Sequence, residues 1–274
     1  MSLPGTARQR PEDDWLMTDK VAIVTGAGSR ADGIGNGRAA AILLARRGAR
    51  VLLIDSVREW AELTHTLISG EGGESQVRVC DVTDDSACAA AVETAAKRWG
   101  RLDIMVNNVG ISGATGNAVE VDLEGWETGL RTNVTSMMYM VRHSVPLMRR
   151  QNQGAIVNVA SVAGLLGGHA SLVYPTSKGA VVNMTRAMAA QHGREGIRVN
   201  CVAPGMVYTP MAYAKGMTEE RRQARIKRSL LQTEGTGWDV GHTITFLASD
   251  AARWITGVVL PVDAGATAGR LDGQ

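Results

Sequence analysis

"VTGAGSRADGIGNG", residues 24–37, follows an apolar run at 21–25 and leads into "GRAAAILLARRG", residues 37–48, so strand, glycine turn and helix come in the order that a phosphate site demands. Glycine lets the backbone approach a pyrophosphate closely, and a helix N-terminus offers free N–H groups and the positive end of a dipole. Gly28 and Gly33 also have the G-x-x-x-x-G spacing of a P-loop, but Ile34 and Gly35 stand where that motif needs Lys and Ser or Thr, which excludes it. A dinucleotide loop makes a second demand, an acidic residue closing the next strand about 20 residues on, to take the adenosine ribose hydroxyls. Asp55 closes "RVLLIDS", 20 positions after Gly35. Its carboxylate would repel a 2′-phosphate and so favours NAD over NADP, although a strand-end Asp also serves as a plain turn residue. Arg30, inside the loop, is the competing feature, because a guanidinium there can pair with a 2′-phosphate.

Beyond this unit, β-branched runs alternate with longer segments of helical period, the pattern of a parallel sheet covered on both faces. Strands are expected at 21–25, 50–54, 76–80, 103–106, 155–160, 198–202 and 258–262, and helices at 35–47, 57–69, 84–99, 123–151, 172–195 and 238–249. The fold class is α/β, a single Rossmann domain over 19–274 with a doubly wound seven-stranded sheet, preceded by an exposed tail at 1–18 in which Trp15 and Leu16 could dock. Two linkers exceed what a crossover needs, 111–122 and 206–237, and both follow strand ends, where open α/β sheets bind ligands. The second is expected to be a substrate lid, helical around 218–231.

The 274 residues carry 29 basic and 27 acidic side chains, a net charge of +2, so no strong field points to nucleic acid or an anionic membrane. The basic run at 221–228 reads as a solvated helix face. Apolar residues make up 45% of the chain, enough for a large core in a soluble globular protein. Cys80, Cys88 and Cys201 are odd in number and lack zinc-site or Cys-x-x-Cys spacing, so reduced thiols, no metal and a cytoplasmic location are expected. No stretch approaches a membrane span, and residues 1–15 have no apolar signal core.

"YPTSK", residues 174–178, carries the chemistry. Positions i and i+4 share a helix face, so the Tyr174 phenol and the Lys178 ammonium can enter one site, where a cation favours the phenolate. The alternative is an amphipathic surface pair. No G-x-S-x-G elbow or H-E-x-x-H occurs, and His169 in "GGHASL" reads as a solvated loop residue near the rim.

With these pieces in place, the chain resembles the short-chain dehydrogenases/reductases from about residue 21 to 265. The matching motifs, in order, are "TGAG…GIG" (25–35), "DV" (81–82), "NNVG" (107–110), "TNV" (132–134), "VNVASVAG" (157–164), "YPTSK" (174–178), "RVNCVAPGMVYTPM" (198–211) and "ITGVVLPVDAG" (255–265). The resemblance implies a tetrad of Asn133, Ser161, Tyr174 and Lys178, with Asn158 in a structural role. Ser161 would hold the substrate oxygen while Tyr174 gives or takes its proton. Lys178 would bond the nicotinamide ribose and lower the tyrosine pKa, and Asn133 would kink its helix and hold a water. The implied activity is NAD-dependent interconversion of a secondary alcohol and a ketone, on an apolar or aromatic substrate near Leu165, Leu166, Met206, Met211 and Tyr213. NADP-dependent ketone reduction and a catalytically silent dinucleotide-binding regulator are the rivals.

By the same resemblance the cofactor contacts are Gly26, Ser29, Arg30, Gly33, Ile34, Asp55, Asp81, Val82, Asn107 or Asn108, Gly110, Tyr174, Lys178, Pro204, Gly205, Val207 and Thr209. Helices 123–151 and 172–195 imply a dimer interface and the last strand a tetramer. Three departures stand out: Val109 replaces a small residue, "VDAG" replaces "VDGG", and Pro175 follows the tyrosine, where a first helical turn accepts it. Against the family's T-G-x-x-x-G-x-G, the opening loop carries three additional residues, expected to bulge outward at 29–32, where Arg30 or Asp32 could reach the dinucleotide.

Overall fold

The computed structural model describes residues 14–214 and 216–269. Strands β1 (Val21–Thr25), β2 (Arg50–Asp55), β3 (Ser75–Val79), β4 (Ile104–Asn107), β5 (Gly154–Val159), β6 (Ile197–Pro204) and β7 (Val259–Val262) form one parallel sheet in the order β3-β2-β1-β4-β5-β6-β7. Alternate residues of each strand feed opposite layers. Val21 and Ile23 of β1 meet α3 (Asp85–Trp99) and α5 (Ser136–Gln151) through Val92, Met140 and Met148. Ala22 and Val24 meet α1 (Asn36–Arg46) and α9 (Gly237–Ala248) through Leu44, Val240 and Ile244. Burial on both faces is why the strands read as nearly continuous apolar runs. Gly241 brings α9 close to α1, since a Cβ there would lie 2.8 Å from that of Ala39.

Several helix starts carry their own signal. Asp84 accepts from the N–H groups of Ser86 and Ala87 at the head of α3, Asp122 caps α4 (Leu123–Leu130), and Thr236 with Asp239 forms a capping box on α9. α1 starts on Gly35 with no side-chain cap, so its first N–H groups have no side-chain partner.

The helix expected at 123–151 is present over its full length, and it carries a π-turn, Arg131–Thr135, around the fully buried Asn133, whose side chain bonds other segments. Two expectations are corrected. The lid helix is shorter than 218–231: α7 (Pro210–Tyr213) and α8 (Glu219–Ile226) are separate. The tail at 1–18 docks from Asp14 onward. The Asp14 carbonyl accepts from Ala251 N–H, Trp15 stacks on Phe246 at 5.4 Å, and Met17 is buried. Leu16 stays exposed, and residues 1–13 lie outside the described residues. Among the described residues no helix is long and apolar enough to cross a membrane.

Candidate active site

Strand order reverses between β1 and β4, and at the carboxyl ends of the strands a cleft of about 2110 Å³ opens, as the topology of an open α/β sheet requires. The loop after β1 forms one end. Gly26 sits at φ 61°, and a side chain at Gly37 would strike the Gly26 carbonyl, so the tight turn into α1 needs both glycines. Asn108 clamps the turn, donating from Nδ2 to the carbonyls of Thr25 and Gly26, each at 3.1 Å. Asp55 accepts from Gly28 N–H at 3.0 Å and Val57 N–H at 3.1 Å, so it shapes the loop as well as lining the cleft. Gly26, Gly28, Ser29 and Arg30 line the same end, with Gly35 to Gly37.

Gly33 and Ile34 are not on that wall. The Gly33 carbonyl accepts from the buried Arg38 at 2.6 Å, and its Cα faces the Tyr213 hydroxyl. Arg38 also bonds Thr64 and the Trp60 carbonyl and ties the loop to α2 (Arg58–Gly70); nothing in its sequence context marks it for this, because an arginine in a helix normally points to solvent. Of the bulge residues, Arg30 lines the cleft and Asp32 does not. Past β3, Asp81 and Val82 line the cleft, with Asp81 Oδ1 held by the Thr83 N–H and hydroxyl. Past β4, Asn108, Val109 and Gly110 line it, whereas Asn107 is buried behind them and donates to Asn158, which donates in turn to Thr185. Pro204, Gly205, Val207 and Thr209 close the far side.

The middle of the cleft holds the titratable side chains. Ser161 follows β5, and Tyr174 and Lys178 project from α6 (Val173–His192), whose first turn accommodates Pro175. Lys178 is 3% exposed, and its Nζ donates to the Val159 carbonyl at 2.9 Å. Desolvation lowers its pKa to about 8. Burial pushes the Tyr174 phenol up, and a hydrogen bond with Ser161 pulls it down. The expected downward pull of Lys178 on Tyr174 is not the governing influence, since Nζ lies 5.9 Å from the ring centroid and is committed to Val159. Asn133 supports this wall from behind: its Oδ1 accepts from Ile111 N–H, and its Nδ2 donates to the Ile111 carbonyl and to Ser177 Oγ at 2.9 Å. His169 sits on the rim, exposed, its ring 5.0 Å from that of Tyr174.

A family profile described as enoyl-(acyl carrier protein) reductase matches residues 26–267. The chain belongs to the short-chain dehydrogenases/reductases. It is 36% identical to the cis-4-hydroxycyclohexanecarboxylate dehydrogenase of Sinomonas cyclohexanicum, over 91% of this chain and 97% of that one. It is 34% identical to the 7alpha-hydroxysteroid dehydrogenase of Bacteroides fragilis, over 91% and 95%. A crystal structure from Burkholderia xenovorans assigned to the same family superposes with a TM-score of 0.87 at 38% identity, covering 93% of this chain and 98% of that one. The protein is therefore an oxidoreductase acting on CH–OH groups, in a family that uses NAD or NADP.

In this short-chain dehydrogenase/reductase, Leu166, Met206 and Met211 line the cleft as expected, but Leu165 packs into a small core cluster and Tyr213 turns to the loop after β1. The run at 221–228 is not simply a solvated face. Arg221, Arg225, Lys227 and Arg228 line the cleft, and only Arg222 turns away, to Glu234 and over the Tyr208 ring. The spacing of 221 and 225 carried that signal, since i and i+4 share one helix face.

Proposed function

We propose that the protein interconverts a secondary alcohol and a ketone with NAD, through Tyr174, Ser161, Lys178 and Asn133. The observation that carries this is the meeting of three distant segments: Ser161 beside the Tyr174 phenol, and the buried Lys178 on the same cleft wall, braced through Ser177 by Asn133. In that arrangement Ser161 holds the substrate oxygen and Tyr174 exchanges its proton. Lys178 presents an ammonium in a dry site, below its ordinary pKa, where it would hold a ribose hydroxyl. The cleft's apolar side chains, Leu166, Met206 and Met211, exclude water and seat an apolar substrate body.

Support for a dinucleotide comes from the residues themselves: a turn into α1 too tight for a side chain at Gly37, a helix start without a side-chain cap, and a carboxylate at the end of β2. When bound, the nicotinamide ring accepts or gives the hydride. Asp55 favours NAD, because its carboxylate lines the cleft and repels a 2′-phosphate. Arg30, on the same wall, favours the second reading, NADP-dependent ketone reduction. A silent regulator is disfavoured by the presence of all four side chains. Following reduced nicotinamide absorbance over a panel of secondary alcohols and ketones with each cofactor tests the proposal. NADP(H) binding tighter than NAD(H) would overturn the role of Asp55, and no turnover with either cofactor would overturn the activity.

The buried thiols of Cys80, Cys88 and Cys201 suit a reducing, cytoplasmic setting. A homo-oligomer, dimer or tetramer, follows from the family resemblance, through helices 123–151 and 172–195 and the last strand. Light scattering on the purified protein tests it, with a monomeric mass as the contrary result.

A further inference from the structure

The chain as a whole is nearly neutral, yet its cleft is not. Arg221 and Arg225 share one face of α8, Arg228 follows in the turn after it, and all three line the cleft with Lys227. The cleft's carboxylates, among the described residues, are Asp55 and Asp81, on the β2 and β3 side, away from the lid that follows β6. Of the lid's acids, Glu234 forks onto Arg222, Glu219 accepts from Gln223 at 2.7 Å, and the exposed Glu220 is off the cleft lining. Arg225 is partly buried, and its Nη2 donates to the Val207 carbonyl at 3.1 Å, which fixes the guanidinium at the wall. Burial first, then the charge of Arg228, press its pKa down; Glu234 pulls it up, and Arg221 adds the smallest downward push.

Like charges gathered against a partly desolvated wall repel one another, and an anion between them relieves the repulsion. Arginine's planar fork suits a carboxylate, which it can bind with two parallel hydrogen bonds. Leu166, Met206, Met211 and Met217 line the same cleft and would cover an apolar body. We propose that Arg221, Arg225 and Arg228 form a subsite for a carboxylate on the substrate, so that the enzyme takes hydroxy or oxo acids with an apolar middle. The inference rests on the cleft being the site of alcohol oxidation proposed above. The dinucleotide's pyrophosphate is the other anion that could reach this face, and the test separates the two.

The test is calorimetric titration of the NADH-loaded enzyme with cyclohexanecarboxylate and with its neutral isostere, cyclohexanecarboxamide. The carboxylate is expected to bind about tenfold more tightly, the scale of one charge-assisted hydrogen-bond pair. That preference should shrink with salt, and it should vanish in Arg225→Ala and in Arg221→Ala/Arg228→Ala. The latter two side chains are exposed, so their removal leaves the fold intact. NADH affinity of both variants should stay within about twofold of wild type. A carboxylate that binds no better than its amide, or no measurable binding of either, overturns the subsite. So does a variant that weakens NADH while the preference survives, which would assign the arginines to the pyrophosphate. Wild-type oxidation of cyclohexanol, assayed separately, reports on the activity itself: turnover without a carboxylate preference defeats only the subsite, and a preference without any turnover defeats only the oxidoreductase chemistry.

Discussion

Tyr213 of the lid donates its phenolic hydrogen to the backbone carbonyl of Asp32, 2.6 Å away and 181 residues earlier in the chain. The Asp32 carbonyl thus seats the segment after β6 on the β1 loop, and Gly33 beside it has no side chain to block the approach. This contact joins the part of the cleft expected to hold phosphates to the part expected to hold substrate.

Tyr213→Phe should loosen both at once. Losing one exposed hydrogen bond, worth about 1 kcal/mol, should raise KM for dinucleotide and for substrate by roughly three- to fivefold, with a smaller change in kcat. Steady-state kinetics with each varied in turn measures this. Unchanged KM for both would leave the contact without a functional part.

Tyr174→Phe should cut turnover by about a thousandfold or more, because it removes the proton donor and keeps the ring. Its NADH affinity, read by fluorescence, should match wild type. A variant that turns over at the wild-type rate would remove Tyr174 from the chemistry.

Lys178→Met should abolish activity and stabilise the fold. The buried ammonium has a pKa near 8 against an ordinary 10.5, so below pH 8 folding must desolvate a charge. The depression corresponds to about 3 kcal/mol, from which about 1 is subtracted for leaving the Val159 carbonyl unpaired, so a net gain of about 2 kcal/mol is expected at pH 7. Between pH 8 and 10.5 the unfolded chain holds more protons than the native one, so wild-type stability rises through that window relative to the variant and the gap narrows. Denaturant unfolding at pH 7 and pH 10 checks both the sign and the trend.

Ala264→Gly should stabilise the protein by about 0.5–1 kcal/mol. Ala264 stands where the family's "VDGG" has glycine, and it adopts φ 53°, a left-handed conformation that an L side chain resists. Its carbonyl accepts from Leu231 N–H at the end of the lid, so the turn is retained despite the strain. A lower melting temperature in the glycine variant would mean that the lost methyl contacts outweigh the strain.

Local pattern made much of the molecule legible. All seven strands fall within a residue or two of their expected ends, because runs such as "VLLID" are buried on both faces and need no alternation. The pairing of Tyr174 with Lys178 on one helix face was legible from spacing, whereas Ser161 and Asn133 came only with the family resemblance. The π-turn at Asn133 depends on bonds to Ile111 and Ser177, 22 and 44 residues away, which no local pattern carries.

The sequence by itself determined an α/β chain with its strand order of motifs, a glycine loop before a helix, an acid at the end of β2 and a Tyr-x-x-x-Lys face. Those follow from periodicity and spacing, which are properties of neighbouring residues. Only the tertiary structure decided which way each polar side chain is turned. It buried Arg38 under the loop, committed Lys178 to Val159, withdrew Gly33 and Asn107 from the cleft wall, and brought the arginines of the lid onto it. The reason is physical: a side chain's partner, its desolvation and hence its charge are set by segments that meet only when the sheet closes at the junction of β1 and β4.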